Sequence, residues 1–198
     1  MGSIAHEDEQ ILVLEHWMPQ PGKLEQETKD GGNAAVVTAS HFNSRKTYEK
    51  YLSSAIKSTI NETCNEQNLI REPPRQQILK PVAGFPLRSN NDNAALDNMG
   101  GYVAMAKIDY VPGTRIEGIK HWRAVAASVE EHEKEGTHTY WFLADPEHED
   151  VLYTLERYRD EKYLWDVHVP SDAIQENKEK QKDIRTGLLL RCFESVGY

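Results

Sequence analysis

YVAMAKIDYVPGTRIEGIKHWRAVAASVEEHEKEG, residues 102 to 136, holds two hydrophobic periods in succession. Tyr102 to Tyr110 reads as a strand of small and apolar residues, closed by Val111-Pro112-Gly113-Thr114. From Arg115 to Lys134 the apolar residues Ile116, Ile119, Trp122, Ala126 and Val129 recur at intervals of three and four. That spacing predicts an amphipathic helix with Thr114 as N-cap and Gly136 just past its end.

Working outward, His138 to Ala144 (HTYWFLA) and Val151 to Tyr158 (VLYTLERY) read as aromatic-rich strands joined across Asp145 to Asp150. A second helix is expected from Asp160 to Val169, resuming after Pro170 through Asp172 to Asp183. Leu188 to Val196 is expected as the last strand. The order β-α-β-β-α-β gives an α+β fold, a ferredoxin-like unit with one antiparallel sheet and two helices on one face. Upstream, Pro86 to Gly101 is rich in Asn and Asp without an apolar face and reads as a linker. The expected organisation is a first unit over 1–85, a linker over 86–100 and a complete unit over 101–198.

The first half reads as an incomplete copy. Strands are expected at Ile11 to Met18 and Ala34 to Phe42, then a helix from Thr47 to Ile60 and a strand at Gln77 to Gly84. Phe42-Asn43-Ser44-Arg45-Lys46 can be laid on Tyr158-Arg159-Asp160-Glu161-Lys162, so the missing pieces are read as the opening strand and helix. A sheet with helices on one face leaves its other face to be covered by a second sheet, from the same chain or another.

The chain has 198 residues and a net charge of −9, which disfavours a nucleic-acid or acidic-lipid surface as partner. Its two cysteines, Cys64 and Cys192, lack the spacing of a zinc or redox site, and no apolar run approaches the roughly 18 residues of a membrane span. Met1 to Gln10 has neither the basic start nor the apolar run of a signal peptide, so a soluble, cytosolic protein is expected.

Gly-rich phosphate loops, GxSxG and HExxH are all missing from the sequence. What remains is a window dense in aromatics: Tyr140, Trp141, Tyr153, Tyr158, Tyr163, Trp165 and His168. These residues suit a flat, partly polar ring system, or they are simply core and edge aromatics. His168 is either a base aimed into the cleft between sheet and helix or a capping group on the surface. Arg157 either forks onto a substrate oxygen or pairs across strands. His132, His138 and His148 match no metal-ligand spacing, and the run from Glu130 to Glu135 reads as a solvated helix face.

Val111-Pro112-Gly113, Glu133 to Gly136, Thr139-Tyr140-Trp141, Asp145-Pro146 and above all Leu155-Glu156-Arg157-Tyr158-Arg159-Asp160-Glu161 followed by His168 resemble the antibiotic biosynthesis monooxygenase domain. The resemblance covers about residues 100 to 198. It implies a dimeric α+β barrel, built as a homodimer or as an intrachain pseudo-dimer of tandem units. It further implies a cofactor-independent monooxygenase of secondary metabolism, acting on an aromatic or polyketide-like small molecule with O2 as co-substrate and no metal or flavin. Carried over, His168 is the base or orienting group and Tyr158 lines the pocket. Trp141, Arg157, Tyr153 and Trp165 are the further substrate-binding candidates. In the first half the overlay puts Leu52 at the place of His168, and Tyr102 to Tyr110 lacks the Asn used by heme-degrading relatives, so heme breakdown is disfavoured. The alternatives are a non-oxidative decarboxylase, cyclase or isomerase with the same pocket, or a non-catalytic small-molecule-binding protein.

Overall fold

In the second half of the chain, alternation along β4 (Tyr102–Tyr110) places Ala104, Ala106, Ile108 and Tyr110 on one buried face. The helix α3 (Arg115–His132) lays Trp122, Val125, Ala126 and Val129 against that face, with Tyr140, Phe142 and Leu152 of the neighbouring strands. The computed structural model describes residues 9–20, 36–88 and 101–194. It has two compact units, Met1–Lys80 and Pro81–Tyr198. From residue 89 onward the expected linker lies outside the described residues.

The second unit runs β4, α3, β5 (Thr137–Ala144), β6 (Val151–Tyr158), a helical segment and β7 (Arg185–Glu194). Its strands are antiparallel in the order β5-β6-β4-β7, so β4 is flanked by β6 and β7. Tyr110 ties the layers together. Its hydroxyl accepts from Trp122 Nε1 at 2.9 Å and donates to Gln181 Oε1 at 2.9 Å. Burial raises the Tyr110 hydroxyl to about 12.

Several local expectations change. Thr114 is in the helical region and caps nothing with its side chain; its hydroxyl donates back to the Val111 carbonyl at 2.7 Å. α3 stops at His132, so Gly136 lies beyond the C′ position, and its missing Cβ instead leaves room for the Tyr163 ring. The second helix is three pieces: α4 (Glu161–Tyr163), a π-turn (Leu164–His168) and α5 (Asp172–Lys180). β7 begins three residues earlier than its apolar run, because Arg185 already pairs with Tyr110.

The first unit holds β1 (Ile11–Trp17), β2 (Val36–Phe42), α1 (Arg45–Leu52), α2 (Ala55–Glu66) and β3 (Arg75–Phe85), whose last residues fall in the second unit. The single helix expected here is broken at Ser53 and Ser54. Ser44 Oγ accepts from Thr47 N at 3.2 Å and Ser54 Oγ from Lys57 N at 3.3 Å, so each serine starts a helix of its own. β1 pairs antiparallel with both β2 and β3. In the second unit β4 is likewise flanked on both sides, by β6 and β7.

Candidate active site

Two turns of helix after β6 decide where His168 goes. Asp160 caps α4 by accepting from Tyr163 N at 2.7 Å. The backbone then widens: Val169 N donates to the Leu164 carbonyl five residues back, at 2.9 Å. A π-turn of this kind shifts the following side chains by one position, and such turns are frequent at functional sites. Here the shift carries His168 inward, where it is 3% exposed.

The imidazole lies over the sheet, with ring centroids 5.0 Å from Tyr140 and 5.1 Å from Tyr158. Its Nδ1 lies 2.9 Å from Glu133 Oε2 and 3.1 Å from Oε1. Glu133 is buried at the end of α3 and also accepts from Thr137 Oγ1 at 2.6 Å. Burial would raise its carboxyl pKa, but the bonds and charge of His168, the Thr137 hydroxyl and the Arg88 charge outweigh it and hold Glu133 below its ordinary value. An ionised carboxylate accepts only, so Nδ1 carries the hydrogen and the lone pair of neutral His168 is on Nε2. Among the described residues, no hydrogen bond to Nε2 is found.

Arg88 fastens the support from outside. Its guanidinium donates to the carbonyls of Thr137 (2.6 Å), Glu130 (2.7 Å), Val129 (2.8 Å) and Glu133 (3.2 Å). Two of these carbonyls also accept from the backbone, Val129 from Glu133 N at 3.0 Å and Glu133 from Thr137 N at 3.1 Å, so Arg88 adds a second bond that ties the end of α3 to the start of β5. Tyr158 Oη donates to buried Glu156 Oε2 at 2.7 Å, and burial, followed by the Glu156 charge, raises the Tyr158 hydroxyl well above its usual value. Tyr140 is raised in the same sense by burial, Glu156 and Glu133. At neutral pH both phenols are donors.

The structure therefore brings His168 and Tyr158 together, on the face of the sheet that carries the helices. Trp141, Tyr153 and Arg157 alternate with Tyr140, Thr154 and Tyr158, so they sit on the opposite face. Trp141 is buried there, opposite Leu155, and Arg157 stands opposite Thr139 and Val103. His138 is lowered first by burial, then by the positive charge of Arg157. Trp165 is 45% exposed, on the outside of the π-turn. His148 is bonded to Asp145 at 2.9 Å in the turn between β5 and β6.

The sequence reading missed Glu133, Thr137, Arg88 and Glu156. Glu133 is no part of a solvated helix face; it is the first residue past the helix, and the chain's turn there points it inward. Its spacing of four from Thr137 and its place just before Gly136 were the available signals. Leu52, at the place of His168 in the first unit, is exposed and carries no comparable chemistry.

No protein-family model matches the sequence, and no curated protein matches it. Solved structures do. A candidate monooxygenase from Fusobacterium nucleatum superposes with a TM-score of 0.73 at 12% identity, covering 98% of each chain. A candidate monooxygenase from Lactobacillus acidophilus NCFM gives 0.68 at 11% identity over 96% of this chain and 78% of its own. An anthrone oxidase-like protein gives 0.58 at 10% identity over 96% of this chain and 92% of its own. The chain thus has the α+β fold of these proteins, and at such identities the likeness is one of fold.

Proposed function

We propose that the second unit is a cofactor-independent oxygenase site for an electron-rich aromatic or polyketide-like small molecule, with His168 as base and Glu133 as its positioning partner. The observation that carries this reading is the buried His168, fixed through Nδ1 by an ionised carboxylate and set between two phenols. A base oriented by a third group is the arrangement proton abstraction requires. The substrate gives up a proton to Nε2, and Glu133 stabilises the imidazolium that forms. Tyr140, protonated, is the donor to the anionic oxygen of the substrate, while the one hydroxyl hydrogen of Tyr158 is held by Glu156 and its ring lines the site. The resulting carbanion or phenolate reduces O2 itself. For an activated methylene, two hydrogens leave carbon, one oxygen atom stays as a carbonyl, and the other departs as water.

The overall fold of the candidate monooxygenases and of the anthrone oxidase-like protein supports this assignment, as does the run from Glu156 to His168 that resembles the antibiotic biosynthesis monooxygenase domain. A tandem of two ferredoxin-like units belongs to the same proposal. Its support is the matching place of β1 and β4 between their neighbours. Oxygen uptake with candidate anthrones, in metal- and flavin-free buffer, tests the function. Stoichiometric O2 consumption is expected. Turnover under nitrogen would replace this reading with a non-oxidative lyase or cyclase, which the same histidine would also serve. Binding of the anthrones without turnover in air would point to a non-catalytic carrier.

A further inference from the structure

The first unit has its own concave site, separate from His168. A cavity of about 560 Å³, within the usual size range of small-molecule sites, opens beside α2 and the start of β3. At it lies Lys57, whose side chain is 6% exposed. Lys57 Nζ donates to Glu15 Oε1 at 2.7 Å and lies 5.0 Å from the Trp17 ring and 5.7 Å from the Tyr51 ring. An ammonium has three hydrogens to give, and among the described residues only Glu15 takes one. The same Glu15 oxygen also accepts from Gln76 Nε2 at 2.7 Å, while Gln76 accepts from Tyr48 Oη at 2.9 Å. The ammonium is thus held in place by a chain of bonds and two aromatic faces, with donors to spare.

Beyond Lys57, the polar lining holds one guanidinium, one carboxylate and three amides, each amide with a donor and an acceptor end. Arg71, Asn61, Asn65 and Gln76 face the cavity, against one carboxylate, Glu72. Glu72 is already engaged by Arg75 at 3.6 Å, whereas no side-chain partner of Arg71 is found among the described residues. In a chain of net charge −9, a concavity with one uncompensated cation and one ammonium with spare hydrogens selects for an anion. Leu52, Ile70, Pro73 and Pro74 supply an apolar wall. We infer that this cavity binds a small organic acid, its carboxylate directed to Lys57 and Arg71 and its hydrocarbon part against that wall.

The test uses the full chain with 1-naphthoate as probe and 1-naphthamide, of similar shape but uncharged, as comparison. Calorimetry should show the acid binding at least about tenfold more tightly than the amide, the difference a charge-assisted contact makes. Arg71→Met, which keeps the backbone bond from Arg71 N to the Met18 carbonyl, should remove most of that preference while leaving the circular dichroism unchanged. Cys64 lines the cavity and Cys192 belongs to the other unit. Naphthoate should therefore slow alkylation of Cys64 and not of Cys192, read by peptide mass. Equal affinity for acid and amide, an unaltered preference in Arg71→Met, or unprotected Cys64 would each overturn the inference.

Discussion

Replacing Glu133 by Gln keeps the shape of the side chain and removes its charge. Two charge-assisted hydrogen bonds become neutral ones: that from Thr137 Oγ1 at 2.6 Å and that from His168 Nδ1 at 2.9 Å. Bonds to a charged partner contribute about 1.5–3 kcal/mol and neutral ones about 0.5–1.5, so the loss is about 2–3 kcal/mol for the pair. For a chain of this length that lowers Tm by roughly 4–12 °C. The pH dependence follows from the depressed carboxyl. Glu133 ionises more readily folded than unfolded, so its stabilisation is complete above the unfolded value of about 4.3 and is lost as the pH falls through the lower folded value. Thermal melts of wild type and Glu133→Gln should therefore differ most near neutrality and converge in acid. A variant within about 0.5 kcal/mol of wild type at pH 7, the scatter of an ordinary surface substitution, would refute the dyad.

Tyr158→Phe deprives buried Glu156 of its donor and should cost about 1.5–3 kcal/mol by urea titration. Gly84→Ala places a Cβ at φ +77° against the backbone carbonyl of Tyr140, which cannot move without opening the sheet. It should destabilise by about 3 kcal/mol or more, read as a drop in denaturation midpoint. Ser54→Ala removes the cap that starts α2 and should cost about 1 kcal/mol, with a small loss of helical ellipticity.

The alternations of β4 and β6 and the three-four spacing from Ile116 to Val129 were legible because both faces of each element keep one environment along its length. The break at Ser53-Ser54 was not: serine is tolerated inside helices, and only the position of its hydroxyl shows that it starts one. Glu133 was hidden for another reason. It sits inside a run of charged residues whose others face water, and its burial arises from where the chain turns after α3. The π-turn has no signature in Leu164-Trp165-Asp166-Val167-His168; a regular helix fits the same residues but sends His168 elsewhere. Nearness in sequence groups Trp141, Arg157 and Tyr153 with His168, whereas strand alternation puts all three on the other face of the sheet.

The most direct measurement is oxygen consumption by wild type and His168→Gln with an anthrone, across pH, in variants whose melts show them folded. A positioned general base contributes about 10²–10⁴-fold, so His168→Gln should slow O2 uptake by about a hundredfold or more and abolish its dependence on a basic group. Uptake within a few-fold of wild type, with the pH profile unchanged, would contradict the assignment of His168 as the base.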